Sequence, residues 1–228
     1  MKIKLIKIVK RSSDINSYIF KNSKGILWKG GQYLVVSLKH ENPDLKGKMR
    51  FITISSSPFE KHIMFTTRIF KKNPSSFKKA LSNLKIGETI EVKGPDGDLT
   101  VENLKRKYIF IAGGMGITPF RSILSQLNFE KKSVDIHLMY VNRNKNFLFK
   151  SELDEILKNN KKFKIDYFIT PFRFDSKIFK SLNLDFKNTF FYISGPEKMI
   201  EDIKEVIEKL GAKRENIKED YFLGYKKI

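Results

Sequence analysis

The chain has 228 residues, no cysteine and a formal net charge of +20 at pH 7. That length suits one large domain or two modest ones, and two is the expectation. The lack of thiols excludes disulfides, thiolate-held zinc, cysteine-ligated iron–sulfur clusters and a cysteine nucleophile. His40, His62 and His137 are scattered singly, so no metal site is expected. The positive charge would suit nucleic acid, but residues 1–103 carry +11 and 104–228 carry +9. An excess spread in this way reads as a solvated lysine surface, and no nucleic-acid partner is expected. The N-terminus MKIKLIKIVK interleaves lysines with apolar residues, and no run approaches the roughly 18 to 20 apolar residues of a membrane span. A cytoplasmic chain with no membrane span is the expectation.

The first half reads as strands. Residues 2–9 alternate, with Ile3, Leu5 and Ile8 on one side, and 17–21, 33–38, 50–54, 62–70 and 88–93 are further runs rich in Ile, Val, Thr, Phe and Tyr. Turn signals separate them at Gly30-Gly31, Asn42-Pro43-Asp44, Ser57-Pro58, Asn73-Pro74 and Gly94-Pro95-Asp96-Gly97. One short helix, Ser76 to Leu84, interrupts the series. Short strands with regular turns point to a small antiparallel barrel. The second half alternates strand runs at 107–112, 134–141, 163–169 and 189–194 with helical patterns near 118–128, 149–159, 176–182 and 196–210. That is the order of a parallel sheet with crossover helices. In the last helix Ile200, Ile203, Val206, Ile207 and Leu210 share a face and Gly211 supplies the stop. A final strand is expected over 216–222. The polar stretch from Asn103 to Lys107 sets the domains at 1–103 and 104–228.

At the start of the second half, Ile111-Ala112-Gly113-Gly114-Met115-Gly116-Ile117-Thr118-Pro119-Phe120 joins a buried strand to a helix. Glycines there permit close approach of a ligand to helix-end amides, which makes a phosphate seat; a tight turn would use the same residues. Its place after the first strand of a parallel sheet favours the phosphate seat.

Gly-Gly-x-Gly-Ile-Thr-Pro after a strand resembles the NAD(P)-binding corner of the ferredoxin–NADP reductase family, and further motifs follow that family's order. Arg50-Phe51-Ile52-Thr53-Ile54-Ser55-Ser56 is similar to its Arg-x-Tyr-Ser/Thr flavin motif. Asn73-Pro74-Ser75-Ser76-Phe77 resembles its phosphate loop, and Gly94-Pro95-Asp96-Gly97-Asp98-Leu99 the turn closing its flavin domain. Ser194-Gly195-Pro196 matches its strand-end Cys/Ser-Gly-Pro, and Asp220-Tyr221-Phe222 its terminal aromatic segment. The resemblance spans roughly residues 2 to 225.

The resemblance implies an antiparallel flavin-binding β-barrel followed by an α/β domain whose parallel sheet binds NAD(P). FAD is the implied cofactor and NAD(P)H the substrate. Arg50 offers its fork to the flavin diphosphate, with Ser75 and Ser76 adding donors at a helix start. Thr53 reaches the reactive edge of the ring system, and Arg68 supplies a second charge while the backbone of Thr66 and Thr67 borders the flavin. Residue by residue, an ordinary strand ending in a charge accounts for Arg50 and Thr53, and a solvated arginine for Arg68. Gly113, Gly114, Gly116 and Thr118 form the nucleotide corner. Ser194, Gly195 and Pro196 stand beside the nicotinamide or make a simple turn. After the second parallel strand, Asn142, Arg143 and Lys145 meet the adenosine ribose, where two cations and no acid lean toward NADPH, or they form a solvated loop. Phe222 covers the flavin face or belongs to the core of the last strand. The usual flavin-stacking tyrosine is Ile52 here, and Phe51 faces the other way on a strand.

Hydride passage needs contact and orientation more than an acid or base. The implied activity is hydride transfer from NAD(P)H to FAD and then electron transfer to a separate acceptor, an acidic ferredoxin or flavodoxin drawn to the basic surface. A flavin or quinone reductase acting on small acceptors is the alternative, and a basic nucleic-acid-binding protein is the alternative of another class. Without cysteine the chain is expected to carry no ferredoxin-type domain, and the span of the resemblance leaves no room for a haem domain.

Overall fold

The computed structural model describes residues 1–221 apart from Lys46 and Lys71. Two compact units divide the chain, Met1–Thr100 and a second beginning at Val101.

The first unit runs β1 (Lys2–Lys10), β2 (Ile15–Lys21), β3 (Tyr33–Ser37), β4 (Met49–Thr53), β5 (His62–Arg68), α1 (Ser76–Asn83) and β6 (Thr89–Asp96). The strands form one sheet in the order β4-β3-β6-β1-β2-β5, with every pairing antiparallel. Its two edges meet just past β4. There the Ser55 N–H and Oγ both donate to the Met64 carbonyl of β5, and the Met64 N–H donates to Ser56 Oγ. The curled sheet encloses Ile3, Leu5, Phe20, Leu34, Val36, Phe65 and Val92, roofed by Phe77 and Leu81 of α1. Full burial of one such side chain contributes about 1.5–3 kcal/mol.

Two irregularities set which residues face in. The β1–β2 register shifts between Leu5 and Lys7, so the inward set passes from Ile3 and Leu5 to the partly buried Ile8, and Ile6 is left exposed. The Gly94-Pro95 pair, expected as a turn, lies inside β6 instead. The β3–β6 pairing slips there, with Val35 opposite Lys93 and Tyr33 opposite Asp96. Gly94 takes φ +103°, which only glycine adopts readily, and a bulge tolerates a proline that has no N–H to donate.

The second unit runs β7 (Lys107–Gly113), α2 (Ile117–Phe129), β8 (Asp135–Asn142), α3 (Lys150–Asn159), β9 (Phe163–Ile169), α4 (Ser176–Ser181), β10 (Thr189–Gly195), α5 (Glu197–Lys209) and β11 (Ile217–Tyr221). Its sheet is parallel, in the order β11-β10-β7-β8-β9. The chain therefore steps outward from β7 to β9 and returns on the other side of β7 with β10. Strand order reverses between β7 and β10, the place where open α/β sheets bind ligands at their carboxyl ends. Helix α5 presents Ile200, Ile203 and Ile207 to the sheet core, and Gly211 follows at φ +99°. Among the described residues, no helix is long and apolar enough to cross a membrane.

Candidate nucleotide and flavin sites

At the switch point of the second unit, two motifs some eighty residues apart in sequence are pressed together. Ser194 pairs with Ala112 in the β7–β10 register. A Cβ on Gly116 would lie 2.0 Å from the Ser194 carbonyl oxygen and 2.8 Å from Gly195 N. One on Gly195 would lie 3.2 Å from Gly113 Cα and 2.8 Å from Met199 Cε. Gly116 and Gly195 are thus glycines because a side chain there would run into the facing backbone. Gly114 differs, since it takes φ +55° and a Cβ there would meet nothing within 4 Å. Open space over a positive-φ glycine at a strand-to-helix corner fits a nucleotide phosphate. Thr118 is buried and its Oγ1 donates to the Met115 carbonyl, closing the corner from within.

Neighbouring strands hold this corner. The Tyr140 hydroxyl of β8 donates to the Gly114 carbonyl at 3.1 Å. Asn142, buried at the end of β8, donates from Nδ2 to the carbonyls of Asn144 and Asn146, so it braces the exposed loop carrying Arg143 and Lys145. Ser194 is fully buried, and its hydroxyl donates to Asp220 Oδ2 at 3.2 Å from the adjacent strand β11. Pro196 is the N-cap of α5. Phe222 lies outside the described residues.

In the first unit, Arg50 and Ser76 converge on one carboxylate. Arg50 Nη2 donates to Asp44 Oδ1 and Oδ2 at 2.9 and 3.2 Å, and the Ser76 N–H, first in α1, donates to Asp44 Oδ2 at 3.1 Å. The Arg50 guanidinium also stands 5.2 Å over the Phe77 ring. Ser76 Oγ accepts from the Asp44 N–H at 2.9 Å and lies 3.0 Å from His40 Nε2. His40 Nδ1 in turn lies 2.8 Å from the Leu38 carbonyl oxygen, which can only accept. Ser75 caps α1 by accepting from the Lys78 N–H. Desolvation, the largest single influence on the Asp44 carboxyl, pushes it up, but hydrogen bonds from Ser76 and Arg50 outweigh it and hold the group below its ordinary value.

Arg68, at the end of β5, forms an ion pair with Asp14 at 3.0 Å. The contact lacks hydrogen-bond geometry, so the buried Arg68 Nε has no hydrogen-bond partner. Arg50 and the first amide of α1, both already turned to an anion, fit the diphosphate of FAD. Thr53 ends β4 and is buried opposite Tyr33, and Ile52 packs on the barrel core. Phe51 is 72% exposed on the opposite face, edge-on to Tyr33 at 5.4 Å. The Thr66 hydroxyl lies 2.8 Å from Ser17 Oγ and 2.9 Å from Ser55 Oγ, and Thr67, half-buried, pairs with Asn16. Asp14 and Tyr140 belong to these clusters without any local motif to announce them, and Asp44 and Asp220 stand in motifs that do not mark them as partners of Arg50, Ser76 and Ser194.

Comparison with known proteins agrees with this architecture. The oxidoreductase FAD-binding domain family matches residues 2–101, and the oxidoreductase NAD-binding domain family matches residues 110–205. The chain is 27% identical to flavohemoprotein A of Dictyostelium discoideum over 246 residues, covering 94% of this chain and 58% of that protein. It is 30% identical to NADH-cytochrome b5 reductase 1 of Ajellomyces capsulatus over 158 residues, covering 60% of this chain and 50% of that one. The chain thus spans between half and three fifths of the length of these two curated relatives. In fold it is similar to ferredoxin–NADP+ reductase from Plasmodium falciparum, with a TM-score of 0.83 at 19% identity over 97% of this chain and 95% of that one. A flavin-binding antiparallel unit followed by a nucleotide-binding parallel one defines a class of two-domain oxidoreductases. This chain belongs to the ferredoxin–NADP reductase-like family of FAD- and NAD(P)-dependent oxidoreductases.

Proposed function

We propose that the chain takes hydride from NAD(P)H on bound FAD and passes electrons to a separate acceptor, an acidic ferredoxin or flavodoxin. The observation that carries this reading is the glycine corner at the β7–β10 switch point, open at Gly114 and closed at Gly116, in a chain whose other unit matches an FAD-binding domain. When bound, FAD supplies the conversion between two-electron and one-electron transfer. The chain's own residues bind and orient. Arg50, Arg68, Ser75 and the first amide of α1 receive the diphosphate, while Ile52, Thr53 and the strand of Thr66 and Thr67 border the ring system. Gly116 and Gly195 let the strand ends close up beside Gly113 so that Gly114 meets the nucleotide. Asp220 fixes the Ser194 hydroxyl beside that place. We further propose a cytoplasmic location and a preference for NADPH carried by Arg143 and Lys145. The names of the relatives, which include cytochrome b5 reductases and a flavohemoprotein, add haem proteins to the acceptors worth trying.

The test is spectroscopic. Protein reconstituted with FAD should show flavin bands that NADH or NADPH bleaches anaerobically and that added acceptor restores. A protein that takes up no flavin would overturn the reading. Arg143→Ala should lower the NADPH-to-NADH ratio of kcat/KM by about tenfold, the order of one lost phosphate contact. An unchanged ratio removes Arg143 from the nucleotide site.

A further inference from the structure

We propose that Asp44 is an internal anion seated where the flavin diphosphate binds, and that it sets FAD affinity by competing for Arg50 and the first amide of α1. This rests on the reading above that Arg50 and α1 hold the diphosphate. An arginine fork and a helix-start amide are the donors a phosphate group uses. Both already point at the two oxygens of one carboxylate, at 2.9, 3.2 and 3.1 Å. A phosphate oxygen cannot occupy those donors while the Asp44 oxygens do. The pair is also accessible, with 20% of the Arg50 side chain and 32% of that of Asp44 exposed, so an incoming anion reaches it without opening the core.

The carboxylate can leave by rotation of the Asp44 side chain while the backbone around it, which holds Arg50, stays. Asp44 lies between β3 and β4, in a segment tied to α1 a second time through the Asp44 N–H on Ser76 Oγ and the His40 ring beyond it. Arg50 Nη1 donates meanwhile to the carbonyls of Gly47 and Met49, which aims the fork whether or not its Nη2 partner is Asp44. Loss of the carboxylate contact therefore frees Nη2 and the Ser76 amide together and leaves the guanidinium in place. FAD loading becomes an exchange of one anion for another, and Asp44 is a residue that tunes affinity for the phosphate-bearing end of the cofactor. The isoalloxazine end lies beyond its reach.

The experiment titrates flavin-free protein with FAD and, separately, with riboflavin, which lacks phosphate, and follows flavin fluorescence and absorbance. Asp44→Asn should tighten FAD by about two- to fivefold, on the scale of an exposed ion pair removed from competition, with riboflavin affinity unchanged. Unchanged or weaker FAD binding overturns the proposal, as does equal tightening of riboflavin, which would place the effect outside the phosphate seat. Arg50→Gln separates the two levels. If it weakens FAD and spares riboflavin while Asp44→Asn changes nothing, the seat stands and the competition fails. If Arg50→Gln binds FAD like the parent, the seat itself is refuted. Asp44→Ser, with thermal unfolding of each flavin-free variant, provides the same comparison should the asparagine variant fold poorly.

Discussion

The glycines of the nucleotide corner look alike in sequence and perform two different jobs. Gly116 is packed so tightly that any Cβ would overlap the Ser194 carbonyl, whereas Gly114 needs glycine for its backbone angle and has open space above it. Gly116→Ala should therefore cost several kcal/mol of stability, on the order of the 3 kcal/mol or more typical of severe core disruption. Gly114→Ala should cost about 1 kcal/mol, the strain of a left-handed alanine. In kinetics the order reverses. Gly114→Val, if folded, should raise KM for the nucleotide with flavin content unchanged. Urea unfolding and nucleotide KM measured on both variants check the assignment, and similar stability losses at the two positions would contradict it. The spacing of these residues suggests a phosphate seat. Which glycine faces the ligand and which faces Ser194 depends on a strand eighty residues away, and local sequence holds no trace of that.

Elements were more legible than contacts. Period-two alternation and helical periodicity located the strands and helices because burial is periodic, and the α5 stripe of Ile200, Ile203 and Ile207 is an instance. Register was less so. The shift between Leu5 and Lys7 and the bulge at Gly94-Pro95 arise from pairing with β2 and β3, and a glycine–proline step reads as a turn until its partner strand is known. Side-chain ties between elements were also hidden. Arg121 of α2, itself 8% exposed, donates to Glu152 of α3 at 2.6 and 2.8 Å and lies 5.2 Å over Phe149. Arg121→Ala should cost about 2 kcal/mol. That is below the usual loss for a broken buried pair, because Glu152 is one-third exposed and can hydrate. A loss within 0.5 kcal/mol in urea unfolding would show that the tie adds nothing.

A second tie joins β8 to β9, where His137 Nε2 donates to Asp166 Oδ2 at 2.7 Å. Burial, opposed by the Asp166 hydrogen bond and aided by Lys164 and Lys107, holds the imidazole below its ordinary value. Desolvation pushes the Asp166 carboxyl up, but hydrogen bonds to His137 and Lys164 prevail and hold it low. A histidine with a depressed folded value resists a proton that the unfolded chain accepts, so stability falls as pH drops below about 6.5. The aspartate adds stability that is present above its unfolded value near 3.9 and is lost as pH falls toward its lower folded value. Both act in the same direction. The thermal midpoint of the second unit should be lower at pH 5 than at pH 8, and His137→Gln should flatten that slope between pH 5 and 7. An equally steep slope in the variant would exonerate the pair.

At the scale of the whole molecule, the net charge of +20 was plain from composition, and its use depends on how the acids are placed. Many carboxylates are matched locally, as in the helical pairs Lys150–Asp154, Lys198–Asp202 and Glu205–Lys209, so they neutralise neighbouring lysines and leave the remaining excess as a diffuse positive field. A diffuse field steers an acidic protein over distances comparable to the Debye length, about 10 Å at 0.1 M salt and about 3 Å at 1 M. It has no hold on an uncharged small molecule. With the nucleotide saturating, so that its own phosphates no longer limit the rate, kcat/KM for an acidic ferredoxin or flavodoxin should fall by tenfold or more between 0.02 and 0.5 M salt, on the order expected for steered association. Reduction of a neutral quinone over the same range should change less than twofold, because no long-range attraction is being screened. The contrast separates a protein acceptor from a small one. Equal slopes for both acceptors would place the salt effect on the enzyme itself and leave the basic surface without a role in choosing the acceptor. A flat response to the acidic protein, with brisk turnover of the quinone, would favour a small-molecule reductase.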